Sequence, residues 1–108
     1  EPYRRQRQMC IRDSINSLPE AEKIDGYTVL QHMEKGEFDK ILFKRWEKKV
    51  YEVYFQKNNR VFYITVDKEN IYLLHSCRKQ KNKTEKKDAN IVRKRAKELG
   101  NMLGRKFI

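Results

Sequence analysis

The chain has 108 residues, 38% of them hydrophobic and 38% charged, and its 26 Lys and Arg against 15 Asp and Glu give a net charge of +11. That length supports one domain around a single modest core. No apolar run reaches the length of a membrane span and no apolar h-region follows the basic start, so no membrane helix or signal peptide is expected, and the cytoplasm is the expected compartment.

Cys10, Cys77, His32 and His75 are too scattered for a disulfide framework or a zinc box, so no metal and no other cofactor is expected. Cys77 reads as a small residue at a strand end. Residues 15–40 carry six acids against three bases, whereas 41–66, 67–84 and 85–108 are basic by six to two, five to two and eight to three. Positive charge placed this way points to a polyanion partner, attracted through its phosphates; a solvated surface is the plainer alternative.

Residues 1–14, EPYRRQRQMCIRDS, show no helical or strand period and hold four arginines but no lysine. The segment resembles the peptide produced when sequencing-adapter DNA is translated, and is expected to be non-native or disordered. Pro19 suits a helix start, and Ile24, Tyr27, Leu30 and Met33 form an apolar stripe that predicts a helix over 19–35, with Gly26 a weak point inside it. Glu20 and Glu22 suit its first turn and Gly36 its end.

Three strand-like runs follow, VYEVYFQ (50–56), RVFYITV (60–66) and IYLLHS (71–76), separated by short polar turns. They predict an antiparallel meander. Phe62, Ile64 and Val66 fall on one side and Val61 and Tyr63 on the other, so helices are expected on one face and a partly enclosed, concave second face. After a basic loop, Thr84 is placed to cap a last helix over 85–99, with Ala89, Val92, Ala96 and Leu99 as its buried stripe and Gly100 as its end. Residues 101–108 form a tail. The fold class is therefore α+β: a small antiparallel sheet of three visible strands with one or two N-terminal helices and a C-terminal helix.

The chain shows no Gly-rich phosphate loop, metal box or Ser/His/Asp set. Its densest chemistry is basic: Arg78, Lys79, Lys81, Lys83, Lys86 and Lys87, and a second cluster of Lys44, Arg45, Lys48 and Lys49 entering the first strand. Trp46, Tyr51, Tyr54, Tyr63 and Tyr72 interleave with these charges. Such rings stack on unpaired bases, although each is more often a core residue.

The run from KKVYEVYF through NRVFYITV and LLH to RKQKNKTEKKDANIVRKRAKELG resembles the RelE/ParE superfamily of toxins from type II toxin–antitoxin systems, in its HigB and phage Gp49-like branch. The resemblance covers about residues 15–100, taken as the toxin domain, with INSLP where relatives join two N-terminal helices. It implies a family first strand that should precede Ile15. It also implies a metal-independent, ribosome-dependent mRNA endonuclease that cleaves by 2′-OH attack on the adjacent phosphate, partnered by mRNA, the ribosome and a helix-turn-helix antitoxin. By the same resemblance Arg60 is a phosphate-binding arginine, Lys79 and Lys81 supply transition-state charge or proton transfer, and His75 is an acid or base. Lys49, Arg45, Arg78, Lys83 and Tyr63 are RNA contacts. Tyr54 stands where relatives often carry arginine, which leaves the catalytic set altered. A gyrase-inhibiting toxin of the ParE kind and a non-catalytic nucleic-acid-binding protein remain as alternatives.

Overall fold

In a computed structural model, described over residues 2–56, 58–68, 70–79 and 84–108, two helices precede the sheet: α1 (Pro2–Asn16) and α2 (Glu20–Glu34). After a 3-10 turn at Phe38–Lys40 come β1 (Leu42–Glu47), β2 (Val50–Phe55), β3 (Asn59–Thr65) and β4 (Ile71–Arg78), then α3 (Lys86–Leu103). The strands lie in sheet order β1-β2-β3-β4, each pair antiparallel. The expected α+β class is the observed one, with Ile15–Pro19 joining two N-terminal helices.

The fourth strand is a correction, because it is β1 and not a strand preceding Ile15. LFKRWE is largely exposed and lacks apolar alternation. Its turn, Lys48-Lys49, has no Gly or Asn, yet Lys48 takes φ 52° so that Glu47 can face Val50. Residues 2–14 are helical, not irregular. Only Ile11 and Ile15 of α1 are buried, one i,i+4 pair, too little to register as a period. Polar contacts tie the rest to three elements: Tyr3 donates to the Arg95 carbonyl of α3 at 3.3 Å, the Arg4 guanidinium lies 4.9 Å from the Tyr72 ring of β4, and Arg12 pairs with Glu34 of α2 at 2.5 Å.

The sheet separates two clusters. On one face α1 and α2 bury Ile11, Ile15, Val29, Leu30 and Met33 against Val53, Phe55, Val61, Tyr63 and Leu73. The buried stripe of α2 is Gly26, Val29, Leu30 and Met33, and Ile24, expected inside, is exposed. Gly26 is the contact point: a Cβ there would lie 2.9 Å from Ile15 Cγ2 and 3.1 Å from the Phe55 ring. The helix-propensity cost of this glycine, about 1 kcal/mol, is accepted for close approach of helix to sheet.

On the second face α3 packs Val92, Ala96 and Leu99 onto Val50, Phe62, Ile64, Tyr72 and Leu74. Thr84 does not cap α3; Glu85 holds the N-cap position without a side-chain bond, and Thr84 Oγ1 accepts from Trp46 Nε1 at 3.1 Å. The helix runs past Gly100 and ends at Gly104, left-handed at φ 66°. Gly100 is needed for a different reason, since an added Cβ would lie 2.4 Å from the Arg105 carbonyl oxygen. The tail folds back, buries Phe107 and accepts the Lys49 N–H at the Phe107 carbonyl.

Candidate nucleic-acid interface

Two irregularities in the strands decide what reaches the second face. In β4, Phe62 faces His75 and Tyr63 faces Leu73, so Leu74 is an extra residue. A bulge reverses the alternation beyond it. Before the bulge Tyr72 and Leu74 point to α3; after it His75, Cys77 and Lys79 do, while Arg78 turns the other way and pairs with Glu22 of α2 at 2.9 Å. In β1 the register shift between Arg45 and Glu47 lets both Trp46 and Glu47 serve the α3 face, Trp46 against Phe62 and Glu47 with Arg93.

α3 covers only part of this face. The remainder holds a charge cluster centred on Glu52, which has no solvent exposure. Its carboxylate accepts two hydrogen bonds from Lys79 Nζ, at 3.1 and 3.0 Å, with Lys44 Nζ at 3.5 Å and Arg60 Nε at 3.9 Å. A carboxylate this deep is tolerated only when paired. Lys79 is itself buried (3% exposed) and its backbone N–H donates to the Asn58 carbonyl at 2.6 Å. Arg60 is buried, donates from Nη1 to the Asn59 carbonyl at 3.0 Å, and lies over the Tyr54 ring at 5.1 Å. Lys44, half exposed, sits 6.0 Å from the same ring. Three cations thus share one buried anion, leaving an excess of positive charge held in fixed geometry, which reaches solvent mainly through the half-exposed Lys44. Preorganised charge of this kind favours a phosphate, and favours it more as negative charge builds on the phosphate oxygens.

Beside it stands a second group. His75 Nε2 lies 2.9 Å from Asp88 Oδ1 in the first turn of α3, and Arg95 Nη1 lies 3.3 Å from His75 Nδ1 and 2.8 Å from the Leu74 carbonyl. A guanidinium only donates, so Nδ1 accepts and Nε2 carries the proton toward Asp88. Both ring nitrogens are engaged, and His75 fastens β4 to α3. Cys77 completes a trio with His75 and Asp88 whose donor atoms lie within 4.8 Å of one another. The surroundings do not fit a resident metal ion. A ligating imidazole donates its second N–H to an acceptor, and here that position faces Arg95. Burial, then the Asp88 charge, pushes the Cys77 thiol up to about 12, so at neutral pH it is neither thiolate nucleophile nor ready ligand.

Of the residues singled out in the sequence, the fold brings Arg60 and Lys79 together, as buried ion-pair members instead of loop cations. His75 stands nearby in its strap. Tyr63 lies in the core of the opposite face at 2% exposure, its phenol pushed up by burial. Arg45 also lies on that opposite face, across from Tyr51, and Lys49 sits in the β1–β2 turn beside Phe107. Lys81 and Lys83 fall outside the described residues. Sequence reasoning passed over Glu52 and Asp88. Glu52 had a readable signal: in VYEVYF it shares a face with Val50 and Tyr54, and a carboxylate on a face due for burial requires a cation. Tyr54, in place of the expected arginine, supplies a ring under Arg60 and Lys44.

Residues 13–97 match the family described as phage-derived protein Gp49-like (DUF891). The chain belongs to that family. The Gp49-like group is RelE-like and toxin-like, of the toxin–antitoxin type, and the match runs from the end of α1 through most of α3, taking in every residue of the charge cluster. Comparisons with curated proteins and with solved structures find no match.

Proposed function

We propose that this Gp49-like protein is a HigB-type toxin that cleaves mRNA, on the ribosome and without a metal ion, and is neutralised by a helix-turn-helix antitoxin. The observation that carries the reading is the Glu52-centred cluster: three cations fixed by a buried carboxylate, with Lys44 at the surface. In the cleavage step the substrate's 2′-oxygen forms a bond to phosphorus and the bond from phosphorus to the 5′-oxygen breaks. The 2′-OH proton leaves to a base and the 5′-oxygen takes one up, giving a cyclic phosphate and a 5′-OH. Lys44, the exposed member, faces the phosphate oxygens as charge develops, with the buried Arg60 and Lys79 adding their field from behind it. Proton transfer falls to Lys81, between β4 and α3 in the sequence, and to His75, whose ring leaves Asp88 to take part. RNA bound to the ribosome arrives already positioned, which lowers what the protein must supply.

The test is primer extension on a reporter mRNA in a translating extract. The intact chain cuts the message at defined positions. Arg60→Ala abolishes cutting, and Lys44→Ala, an exposed change that spares the fold, reduces it about a hundredfold, within the range for losing one transition-state donor. Intact mRNA with the folded wild-type chain overturns the reading, and inhibition of gyrase supercoiling in its place selects the ParE-like alternative.

A further inference from the structure

The helix-side face of the sheet is not covered along its whole length. α2 ends at Glu34, Gly36 turns away at φ 72°, and beyond the Phe38 turn no α-helix among the described residues lies over the α1–α2 side of β1 and the start of β2. The uncovered part is an open pocket of about 360 Å³ lined by Gly36, Phe38, Phe43, Tyr51, Tyr63, Thr65 and Lys68. Four of those seven are aromatic and none is aliphatic. Tyr63 forms the floor: it stacks on Phe38 at 5.6 Å and meets Tyr51 at 5.9 Å, and Phe43 closes the row, 6.4 Å from Tyr51 and 5.9 Å from Phe38. Tyr63 is buried, whereas Phe43 is 42% exposed and Tyr51 half-buried, so ring surface stands open to solvent in a protein whose other aromatic residues mostly close a core. Arg45 follows Phe43 on the same face, across from Tyr51, and Lys68 stands on the pocket wall.

We propose that this pocket takes an unpaired base of a single-stranded RNA, stacked on Phe43 and Tyr51, with the adjoining phosphates on Arg45 and Lys68. The proposal rests on the RNA-cleavage reading for its partner, and adds a second contact on the opposite face of the sheet. Flat rings bordered by cations are the chemistry that holds single strands, because every base has a π-face and every nucleotide a phosphate. Rings alone also accept an aliphatic side chain; the flanking Arg45 and Lys68 are what match the phosphates of a nucleotide. β1 is the free edge of the sheet and its side chains alternate, Lys44 toward Glu52 and Phe43 and Arg45 toward the pocket. A single strand that rounds this edge meets both sites, and the aromatic pocket then sets which base is preferred near the cleaved bond.

The experiment compares oligoadenylate, oligouridylate and an abasic oligoribonucleotide of equal length by fluorescence anisotropy, using the full chain. Wild type binds oligoadenylate roughly tenfold more tightly than the abasic strand, the effect of one good stacking contact. Phe43→Ala removes that difference and leaves abasic binding unchanged. Phe43→Trp preserves it, and Phe43→Leu, apolar but without a π-face, does not. Arg45→Ala weakens all three strands and lowers the salt slope by about one ion, or somewhat less on single strands. A base-dependent difference that survives Phe43→Ala overturns the site, as does a wild type that binds all three strands equally. Overturn also follows if Phe43→Ala and Phe43→Leu disturb only antitoxin binding, which would make the pocket a protein contact. The two proposals fail separately: an uncut reporter mRNA with Phe43-dependent base preference removes the nuclease and keeps the pocket, and cutting without that preference does the reverse.

Discussion

The two faces of the sheet are built from the same alternating strands and end up with opposite chemistry. On the α1–α2 face the inward residues of β2 and β3 are Tyr51, Val53, Phe55, Val61 and Tyr63, and the helices close over Val53, Phe55 and Val61 with apolar contacts, leaving the charged contacts of Glu22 at the rim. On the α3 face the corresponding positions begin as Val50, Phe62 and Ile64 and then give way to Glu52, Tyr54 and Arg60. There the burial that α3 does not provide comes from ion pairing. Apolar packing is non-directional and makes a stable support. The paired charges are directional, and they hold cations in an arrangement that a solvated loop does not maintain.

The largest effect that tests this contrast falls on Glu52. Glu52→Ala strands Lys79 as a buried, unpaired charge and lowers unfolding stability by about 3–5 kcal/mol in urea titrations. A Glu52→Leu, Lys79→Met double variant recovers part of that loss, since Arg60 still loses the carboxylate, and still fails to cut RNA. If the double variant cleaves, the cluster is structural only and the contrast between the faces is one of packing style.

On the apolar face the matching test is Gly26→Ala. Helix propensity favours alanine, but the new methyl meets Ile15 at 2.9 Å. Overpacking at about 1–3 kcal/mol outweighs the propensity gain, so thermal stability falls, while the strength of RNA binding per folded molecule is unchanged. A rise in stability would mean that α2 stands off the sheet more loosely than the contact distances imply.

The smallest effect belongs to the exposed Glu47–Arg93 pair at the end of β1. The Arg93 hydrogen bond holds the Glu47 carboxyl below its ordinary 4.5. A folded-state value below the unfolded one means that the pair stabilises the fold above the unfolded value and loses its contribution as pH falls through the folded one. Glu47→Gln therefore costs a small, salt-sensitive increment at pH 7, and the difference from wild type narrows as pH falls below the ordinary carboxylate range and the Glu47 carboxyl protonates. A difference that persists in acid assigns the effect to the β1–α3 packing around Trp46 instead of to charge.

Much was legible without coordinates. The β2, β3 and β4 runs, the α2 span and the α3 stripe of Ala89, Val92, Ala96 and Leu99 follow from periodicity, because each buries a regular set of side chains. α1 and β1 were not legible, for one reason in two forms. α1 has a single buried i,i+4 pair, and β1 is an edge strand whose positions are mostly exposed, so neither imprints a period on its sequence. Arg60 and Lys79 stood out as basic residues, but not as buried partners of Glu52.

The amino-acid sequence by itself determined the α+β class, the excess of positive charge beyond Ile41 and the residue types available for a phosphate. Tertiary structure decided which of them meet. In the run HSCRK at 75–79, strict alternation cannot say whether Lys79 joins Phe62 or turns away from it. The extra residue at Leu74 sets the parity, sending His75, Cys77 and Lys79 to the α3 face and Arg78 to α2. A bulge is one residue of register, absent from composition and from spacing, and here it separates the cations of the charge cluster from those on the other face.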